Sequence, residues 1–489
     1  MKEDNQLIRQ RLQKLNNLRD RGINPYPSKF DQKNHAKDIV EKFKKLKDDQ
    51  KTKNKVSIAG RIMTFRNMGK AGFAHIQDVT GQIQVYARED EIGKEAYKTF
   101  SKSDLGDIVG IEGTVFKTKK GEVSVWIKKF ELLTKNLRPL PEKWHGLSDI
   151  EARYRQRYVD LIVNPEVKEI FQKRSKIIHA MRDFLINEGF IEVETPILQP
   201  IYGGTNAKPF KSFLHNLKMD VYMRISNELY LKRLIVGGYE KIFEFSYDFR
   251  NEGIDSTHNP EFLQMETMWA YADYQDNVKL CERMIKFIVR SVSKNYKTKF
   301  RNETLDFGKP FAKLSMVEAL KKYAKIDVNK LKINDLKNLL KKHKIEHDPN
   351  ISWGWAVAYL FEGLVEDKLI QPTIIYDYPV ETSPLAKINE KDNRFVERFE
   401  LYINGWEMAN SYSELNDPEV LKDNLKKQEK MAKGGDEEAQ RIDIDFLNAL
   451  EIGMPPTSGL GIGIDRLVMV LTDSESIKDV IFFPFMKPE

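Results

Sequence analysis

The sequence is poor in cysteine and has no long apolar segment. One cysteine, Cys281, stands among 489 residues, so an internal disulfide and a cysteine-based metal site are both excluded. No apolar run approaches the roughly 20 residues that span a bilayer. Residues 1–6 also lack the apolar stretch that begins a secretory signal. We therefore expect a cytoplasmic protein with no membrane partner.

The composition is that of a globular protein, with an uneven distribution of charge. The chain is 41% hydrophobic and 31% charged, and its length predicts two or three domains. Residues 1–53 contain 15 Lys+Arg and 8 Asp+Glu, a net charge of +7 that equals the net charge of the whole chain. A basic arm on a neutral body indicates either contact with a polyanion or a solvated helical extension.

The first third of the chain predicts a helical extension followed by a β-barrel. Residues 1–54 contain apolar residues at helical spacing, and residues 55–135 contain short alternating runs. Five strands with one helical stretch between the third and fourth are typical of an OB-fold barrel, which commonly binds single-stranded nucleic acid. Phe73 is either a base-stacking residue or a core phenylalanine. The five predicted strands cover residues 56–63, 73–77, 83–87, 108–116 and 123–127.

The remainder predicts an α+β domain with an antiparallel sheet flanked by helices. Residues 136–165 are a predicted linker, and the domain is expected over 166–489, with a lysine-rich helical insertion at about 277–346. It begins with a long amphipathic helix that Gly189 can end, then a strand that reaches Pro196. Most later strand runs follow one another without a crossover helix. These runs are 221–225, 241–247, 261–270, 373–378, 397–403 and 406–412.

Two arginines lie where the surrounding backbone is closely constrained. Arg250 follows the apolar residues that precede Phe249-Arg-Asn-Glu-Gly253, and burying it requires an anion or a carboxylate such as Glu252. Arg466 ends Gly459-Leu-Gly-Ile-Gly-Ile-Asp-Arg466, where glycines permit a ligand to approach the backbone. Both positions therefore suit contact with an anionic ligand.

Two pairs of glutamates are candidates for binding cations. Glu400 and Glu407 lie on successive strand runs, and are either a magnesium site beside phosphates or solvated strand residues. Glu266 and Glu414 would repel each other in a small pocket unless a cation lay between them. A lysine ε-ammonium has the charge and reach for that position.

Together these segments resemble motifs 1, 2 and 3 of the class II aminoacyl-tRNA synthetases, and from about residue 55 onward they resemble the lysyl branch. For ATP, the resemblance implies a phosphate and carboxylate clamp at Arg250, adenine stacking between Phe262 and Arg466, and Mg²⁺ at Glu400 and Glu407. Arg250 and Arg466 are the implied catalytic residues. The implied ATP-binding set is Arg250, Glu252, His258, Asn259, Phe262, Glu400, Glu407 and Arg466.

The same resemblance implies a lysine pocket, an anticodon site and a homodimer formed through motif 1. Met268 and Thr205 depart from the family pattern, in which tyrosine and alanine are usual, and Met268 keeps apolar contact but loses a hydroxyl. The implied anticodon residues are Phe73, Gln84 and Glu122. The implied lysine-binding set is Gly204, Glu228, Arg250, Glu266, Met268, Asn410, Tyr412, Glu414 and Gly461.

The implied activity is ATP-dependent formation of lysyl-adenylate, followed by transfer of lysine to the 3′ end of tRNA(Lys). Three alternatives remain at this stage. The first is a synthetase for aspartate or asparagine, which Glu266 and Glu414 disfavour. The second is a relative that lysylates a protein, although such relatives lack the barrel. The third is an inactive RNA-binding paralogue, which would not need Arg250, Glu400, Glu407 and Arg466.

Overall fold

The computed structural model describes residues 2–141, 147, 149–433 and 443–488, and the chain forms two compact units, residues 1–146 and 147–489. Part of the predicted linker, residues 142–146 and 148, lies outside the described residues. The rest of that linker does not form a separate segment. It contains two helices, Ile150–Arg155 and Arg157–Val163, which belong to the second unit.

The first unit is a five-stranded closed barrel, with pairing order β1-β2-β3-β5-β4. The predicted strands and the helical stretch after the third strand are present, as the OB-fold prediction requires. In β2 the inward residues Ala74 and Ile76 are each 1% exposed, whereas Phe73 is half-buried on the outer face. The strands are β1 Lys51–Asn67, β2 Ala71–Gln77, β3 Gln82–Arg88, β4 Ile108–Lys117 and β5 Val123–Thr134.

The basic N-terminal region packs on this barrel and does not form a domain of its own. Leu18, Ala36 and Ile39 are buried in the same hydrophobic core as the barrel strands, because the amphipathic helices have little else to bury. The helices of this unit are α1 Lys2–Asp20, α2 Ala36–Phe43, α3 Glu89–Ile92 and α4 Lys94–Ser101.

The second unit is built on an eight-stranded sheet, with order β14-β15-β16-β17-β18-β11-β10-β6. The predicted antiparallel sheet is present, and its two edge pairings, β14–β15 and β10–β6, are parallel. The strands of this unit are β6 Ile191–Glu192, β7 Leu198–Gln199, β8 Lys211–Leu214, β9 Met219–Met223, β10 Lys241–Phe249, β11 Glu261–Ala270, β12 Lys297–Phe300, β13 Glu303–Asp306, β14 Ala312–Ser315, β15 Thr373–Pro379, β16 Phe395–Ile403, β17 Trp406–Ser413 and β18 Thr457–Gly463.

Helices cover this sheet. The long helix α7 packs against α9, and both contribute to the largest hydrophobic core. Described helices are α5 Ile150–Arg155, α6 Arg157–Val163, α7 Pro165–Asn187, α8 Glu228–Val236, α9 Tyr274–Val292, α10 Met316–Ala319, α11 Ile333–Lys342, α12 Trp353–Leu364, α13 Pro418–Lys433, α14 Ile444–Gly453, α15 Ile464–Thr472 and α16 Ile477–Val480. No helix in the described part of the chain is long and apolar enough to cross a membrane.

The predicted helical insertion at 277–346 is wrong in part. α9 is packed into the main core, β12 and β13 form a hairpin, and β14 is an edge strand of the main sheet. The lysine-rich composition indicated exposed helices. Short strands of four residues carry too little alternation to be recognised against that background.

Candidate active site

A cavity of about 550 Å³ lies on one face of the eight-stranded sheet. It is lined by the loop between β10 and β11, by β17 and β18, and by the start of α15. Most of the residues predicted from sequence line this single cavity. They are Gly204, Glu228, Arg250, Glu252, His258, Asn259, Phe262, Glu266, Glu407, Asn410, Tyr412, Glu414, Gly461 and Arg466.

Strand pairing explains how distant segments meet here. Glu400 pairs with Asn410, Asn410 with Gly461, and Gly461 with Glu266, so these residues form one row across β16, β17, β18 and β11. Side chains in such a row point to the same face of the sheet. Residues more than 100 positions apart in sequence are therefore neighbours at the cavity.

Arg250 begins the loop that joins β10 to β11, and its amide donates to the Pro260 carbonyl at 3.0 Å. Its guanidinium lies 5.0 Å from the centroid of the Phe262 ring and its Nε donates to the Ile225 carbonyl at 3.4 Å. These contacts hold the Arg250 side chain at the cavity wall. Its planar guanidinium can there donate two parallel hydrogen bonds to a carboxylate or phosphate. The resemblance implied that adenine stacks between Phe262 and Arg466. In this structure one face of the Phe262 ring is covered by the Arg250 guanidinium.

Arg466 lies in the first turn of α15 and is held by two acceptors. One terminal nitrogen donates to the Glu407 carbonyl at 3.1 Å, and the other lies 3.1 Å from His258 Nε2. His258 Nδ1 in turn lies 2.8 Å from Asp255 Oδ2. The loop residues thus position Arg466 through a chain of contacts. His258 Nε2 can accept this hydrogen bond only when the imidazole is neutral, because arginine has donors alone.

The glycines before Arg466 form a strand, β18, which the sequence pattern did not predict. A Cβ at Gly459 would lie 2.5 Å from Glu414 Oε1, so this position has no room for a side chain. At Gly461 the nearest atom would be 3.9 Å away, and at Gly463 there is open space. The latter two glycines therefore leave a bare backbone floor in the cavity, where a flat ligand can lie against the strand.

Glu228, Glu266 and Glu414 form the acidic end of the cavity. Glu266 is 8% exposed and Glu414 is 2% exposed. Among the described residues, Glu266 Oε2 and Glu414 Oε1 are buried without a hydrogen-bond partner. Burial raises the pKa of Glu414 to about 8, and burial followed by the charge of Glu228 raises the pKa of Glu266 well above its usual value. An ammonium group bound between these carboxylates would relieve both effects.

Sequence reasoning missed Lys232 and Arg398. Lys232 Nζ lies 2.5 Å from both Glu228 Oε1 and Glu414 Oε2 and is almost fully buried. Arg398 lines the cavity and its Nε donates to Asn410 Oδ1 at 3.1 Å. The four-residue spacing from Glu228 to Lys232 is the available signal, because it places both on one face of a helix.

Met268 and Glu400 depart from their predicted positions, since neither is among the described residues that line the cavity. Met268 is 1% exposed and packs in a core under the acidic end. Its Sδ lies 3.1 Å from where a Gly459 Cβ would be. Glu400 lies on β16, one strand farther from the cavity floor than Asn410, and accepts hydrogen bonds from Arg398, Tyr378 and Tyr402. Its oxygens are thus already engaged.

Glu407 lies at the cavity wall near Arg466. Burial, followed by the charge of Glu400, raises the pKa of Glu407 to about 7. Glu400 is neutralised in part by its contact with Arg398, whereas Glu407 faces the cavity. This pair of acids suits a cation that prefers oxygen ligands.

The predicted anticodon residues lie together on the outer face of the barrel in the first unit. Phe73 stacks on Tyr86 with ring centroids 4.5 Å apart. Gln84 Nε2 donates to Glu122 Oε2 at 2.8 Å, and His75 Nε2 lies 2.8 Å from Glu122 Oε1. The arrangement offers an aromatic surface beside polar groups, which suits an unstacked base. His75 was not predicted.

Both units of the chain match models of known protein families. Residues 149–487 match the family model of the class II tRNA synthetases (D, K and N), and residues 56–133 match the OB-fold nucleic acid binding domain. The chain therefore belongs to the class II tRNA synthetases.

Its relatives identify the branch of that family. It is 52% identical over 487 residues to the lysine–tRNA ligase of Pelotomaculum thermopropionicum, covering 99% of this chain and 95% of the relative. It is 49% identical over 480 residues to the lysine–tRNA ligase of Bacillus cereus, covering 98% and 96%. Lysine–tRNA ligase 2 of Methanosarcina acetivorans is 50% identical over 482 residues, covering 98% and 94%.

Proposed function

We propose that this protein activates L-lysine with ATP and transfers it to the 3′ end of tRNA(Lys) in the cytoplasm. The observation that supports this most directly is the composition of the cavity. Buried carboxylates at one end suit a long cation, and arginines at the other suit a triphosphate. The arrangement disfavours an aspartate pocket, because an acidic substrate side chain would face Glu266 and Glu414. It also disfavours an asparagine pocket, because a neutral amide would bring no positive charge to these acids.

In the first half-reaction the lysine carboxylate attacks the α-phosphorus of ATP, and pyrophosphate leaves with the electrons of the broken P–O bond. A carboxylate is ionised at neutral pH, so no general base is required, and positioning lowers the barrier. Arg250 would hold the lysine carboxylate and the α-phosphate together. Arg466 would bind the outer phosphates, and Phe262 would stack on adenine.

At the acidic end, Glu228 would bind the α-ammonium of lysine, and Glu266 with Glu414 would bind the ε-ammonium. Tyr412 would pack along the methylene stem. Gly204 has φ +94° and a Cβ there would lie 2.9 Å from Ser226 Oγ, so glycine is required beside the α-amino group. Asn410 and Gly461 lie between the two ends, in one strand row with Glu266.

Mg²⁺ fits the donor set at Glu407, with Glu400 as a second negative charge behind it. When bound, the ion would neutralise part of the triphosphate charge. Glu252, His258 and Asn259, on the loop between β10 and β11, would contact the nucleotide from the opposite side.

In the second half-reaction a terminal ribose hydroxyl of the tRNA takes the lysyl group from the adenylate and releases AMP. Phe73, Gln84 and Glu122 would recognise an anticodon base, by stacking and by polar contact with its edge. We further propose a homodimer formed through α7 and the segment after it. Apolar side chains there are between 44% and 57% exposed, namely Ile186, Ile191, Ile197 and Leu198, and sedimentation of the purified protein tests this.

ATP–pyrophosphate exchange with a panel of amino acids tests the proposed reaction. We expect exchange with lysine and none above background with aspartate or asparagine. Exchange driven by aspartate would assign the cavity to another branch of the family. Absence of exchange with every amino acid would support the inactive paralogue.

A further inference from the structure

Lys232 is a buried cation whose role the proposed reaction does not explain. Its side chain is 2% exposed, and its Nζ forms ion pairs with Glu228 and Glu414, each at 2.5 Å. The proposed function assigns these two acids to opposite ends of the same substrate. Lys232 therefore connects the residue that binds the α-ammonium to a residue that binds the ε-ammonium.

Lys232 is buried beside the cavity and is not part of its described lining. Of the described residues that line the cavity, Lys232 is not one, whereas Glu228, Glu266 and Glu414 all are. Lys232 lies on α8, one helical turn after Glu228. The ammonium contacts Glu228 Oε1 and Glu414 Oε2. Glu414 Oε1, which has no hydrogen-bond partner among the described residues, remains available to a ligand.

The charge balance follows from this geometry. The lining of the acidic end has three carboxylates, and Lys232 supplies one ammonium, so two negative charges remain when all three are ionised. The nearby Asp248 does not enter this count, because it pairs with Arg224. Lysine brings two ammonium groups to this end and its carboxylate to Arg250. A buried charge without a counter-ion is strongly unfavourable, so this match favours a ligand with two ammonium groups.

We propose that Lys232 is a positioning residue for lysine selection: its ion pairs hold Glu228 and Glu414 in place, and its single positive charge leaves the acidic end suited to a ligand with two ammonium groups. The proposal depends on the proposed function, because it assumes that lysine binds at this end.

Titration supports the geometric argument. Burial raises the pKa of Glu414 to about 8, and the charge of Lys232 acts in the opposite direction. Loss of the ammonium should therefore raise the pKa of Glu414 further, so that lysine binding requires a higher pH. Other charged or titratable groups that face this cluster are Glu228 on α8, Glu266 on β11, Asp248 on β10 and Tyr412 on β17.

The experiment measures kcat/KM for lysine against pH in pyrophosphate exchange, with the full-length wild type and Lys232→Met. We expect the wild-type profile to have its inflection near pH 8 and to level off above that pH. In Lys232→Met we expect the inflection to move upward by about one pH unit or more, and the KM for lysine at pH 7 to rise by about tenfold or more. The KM for ATP should change by less than about twofold, since the two acids that pair with Lys232 lie at the acidic end and not at the arginine end.

Further variants separate charge from structure. Lys232→Gln removes the charge but keeps hydrogen-bond donors, so it should shift the inflection as Lys232→Met does and provides the measurement if that variant does not fold. Lys232→Arg keeps the charge and should leave the inflection unchanged. Lys135→Met removes another buried lysine, paired with Asp107 in the barrel, and should leave both KM values for activation unchanged.

An unshifted inflection in the neutral variants, or equal shifts in Lys232→Arg, would overturn the proposal and leave Lys232 a packing residue. Equal losses for lysine and ATP would do the same. A wild-type enzyme without lysine-dependent exchange would instead overturn the proposed function, so the two failures are distinguishable.

Discussion

The two ends of the catalytic cavity differ in how completely the protein alone determines them. At the acidic end, Glu414 is 2% exposed and is fixed by the buried Lys232. At the arginine end, the side chains of His258 and Asp255 are 52% and 57% exposed on a loop. A pocket formed in advance suits discrimination among amino acids, because buried groups left unpaired penalise the wrong ligand. An exposed loop suits a nucleotide that contributes much of its own charge.

Glu414→Gln should produce the largest difference between the two ends. The change replaces an ion pair with a neutral contact in a buried site, which costs about 2–3 kcal/mol, or about 30- to 150-fold in the KM for lysine. The KM for ATP should remain within about twofold. Glu282→Gln is the matched control, since it removes a carboxylate that pairs with Lys286 outside the cavity. Equal losses for lysine and ATP would remove the distinction between the ends.

Phe73→Ala should affect neither end of the cavity. Loss of base stacking costs about 1–3 kcal/mol, so the KM for tRNA in aminoacylation should rise by about 5- to 150-fold, with pyrophosphate exchange unchanged. Ile76→Ala is the control on the same strand, because Ile76 points into the barrel and is 1% exposed. We expect that variant to lower the melting temperature. If Phe73→Ala lowers it equally and also impairs exchange, Phe73 is a structural residue.

The pH dependence of activation should also distinguish the ends. Burial raises the pKa of Glu414 to about 8, and the ionised form, present above that pKa, is the one that attracts ammonium. Below it, kcat/KM for lysine should fall by up to about tenfold per pH unit. Glu414→Gln should flatten this profile. A wild-type profile that is flat between pH 6 and 8 would contradict the assignment of Glu414.

The sequence predicted residues that line the cavity better than it predicted the elements that hold them. Arg250, Glu266, Glu414 and Arg466 were predicted from motifs, and all line one cavity. The strand that holds Gly459 was not predicted, since glycine is unfavourable in a strand unless a neighbour leaves no room for a side chain. That neighbour, Glu414, is 45 residues away in sequence.

Lys232 was missed for a related reason. A lysine four residues after a glutamate on a helix is usually an exposed pair of little energetic importance. Here the helix faces the sheet, so the same spacing buries both charges. Which face of α8 is buried is determined by tertiary packing, and the local sequence does not contain that information.

His258→Ala should have the smallest effect. The histidine accepts from Arg466 at 3.1 Å and is itself held by Asp255, but it is half-exposed, so water can replace it. A net hydrogen bond of about 0.5–1.5 kcal/mol predicts a rise of about 2- to 13-fold in the KM for ATP, with the KM for lysine unchanged. Asp255→Asn, which keeps a polar partner of the same length for His258 but removes its charge, should have a smaller effect in the same direction. A loss comparable to that of Glu414→Gln, measured in ATP titrations at saturating lysine, would mean that the loop is as strictly required as the buried pocket. The exposed end would then share the preformed character that we assign to the acidic end alone.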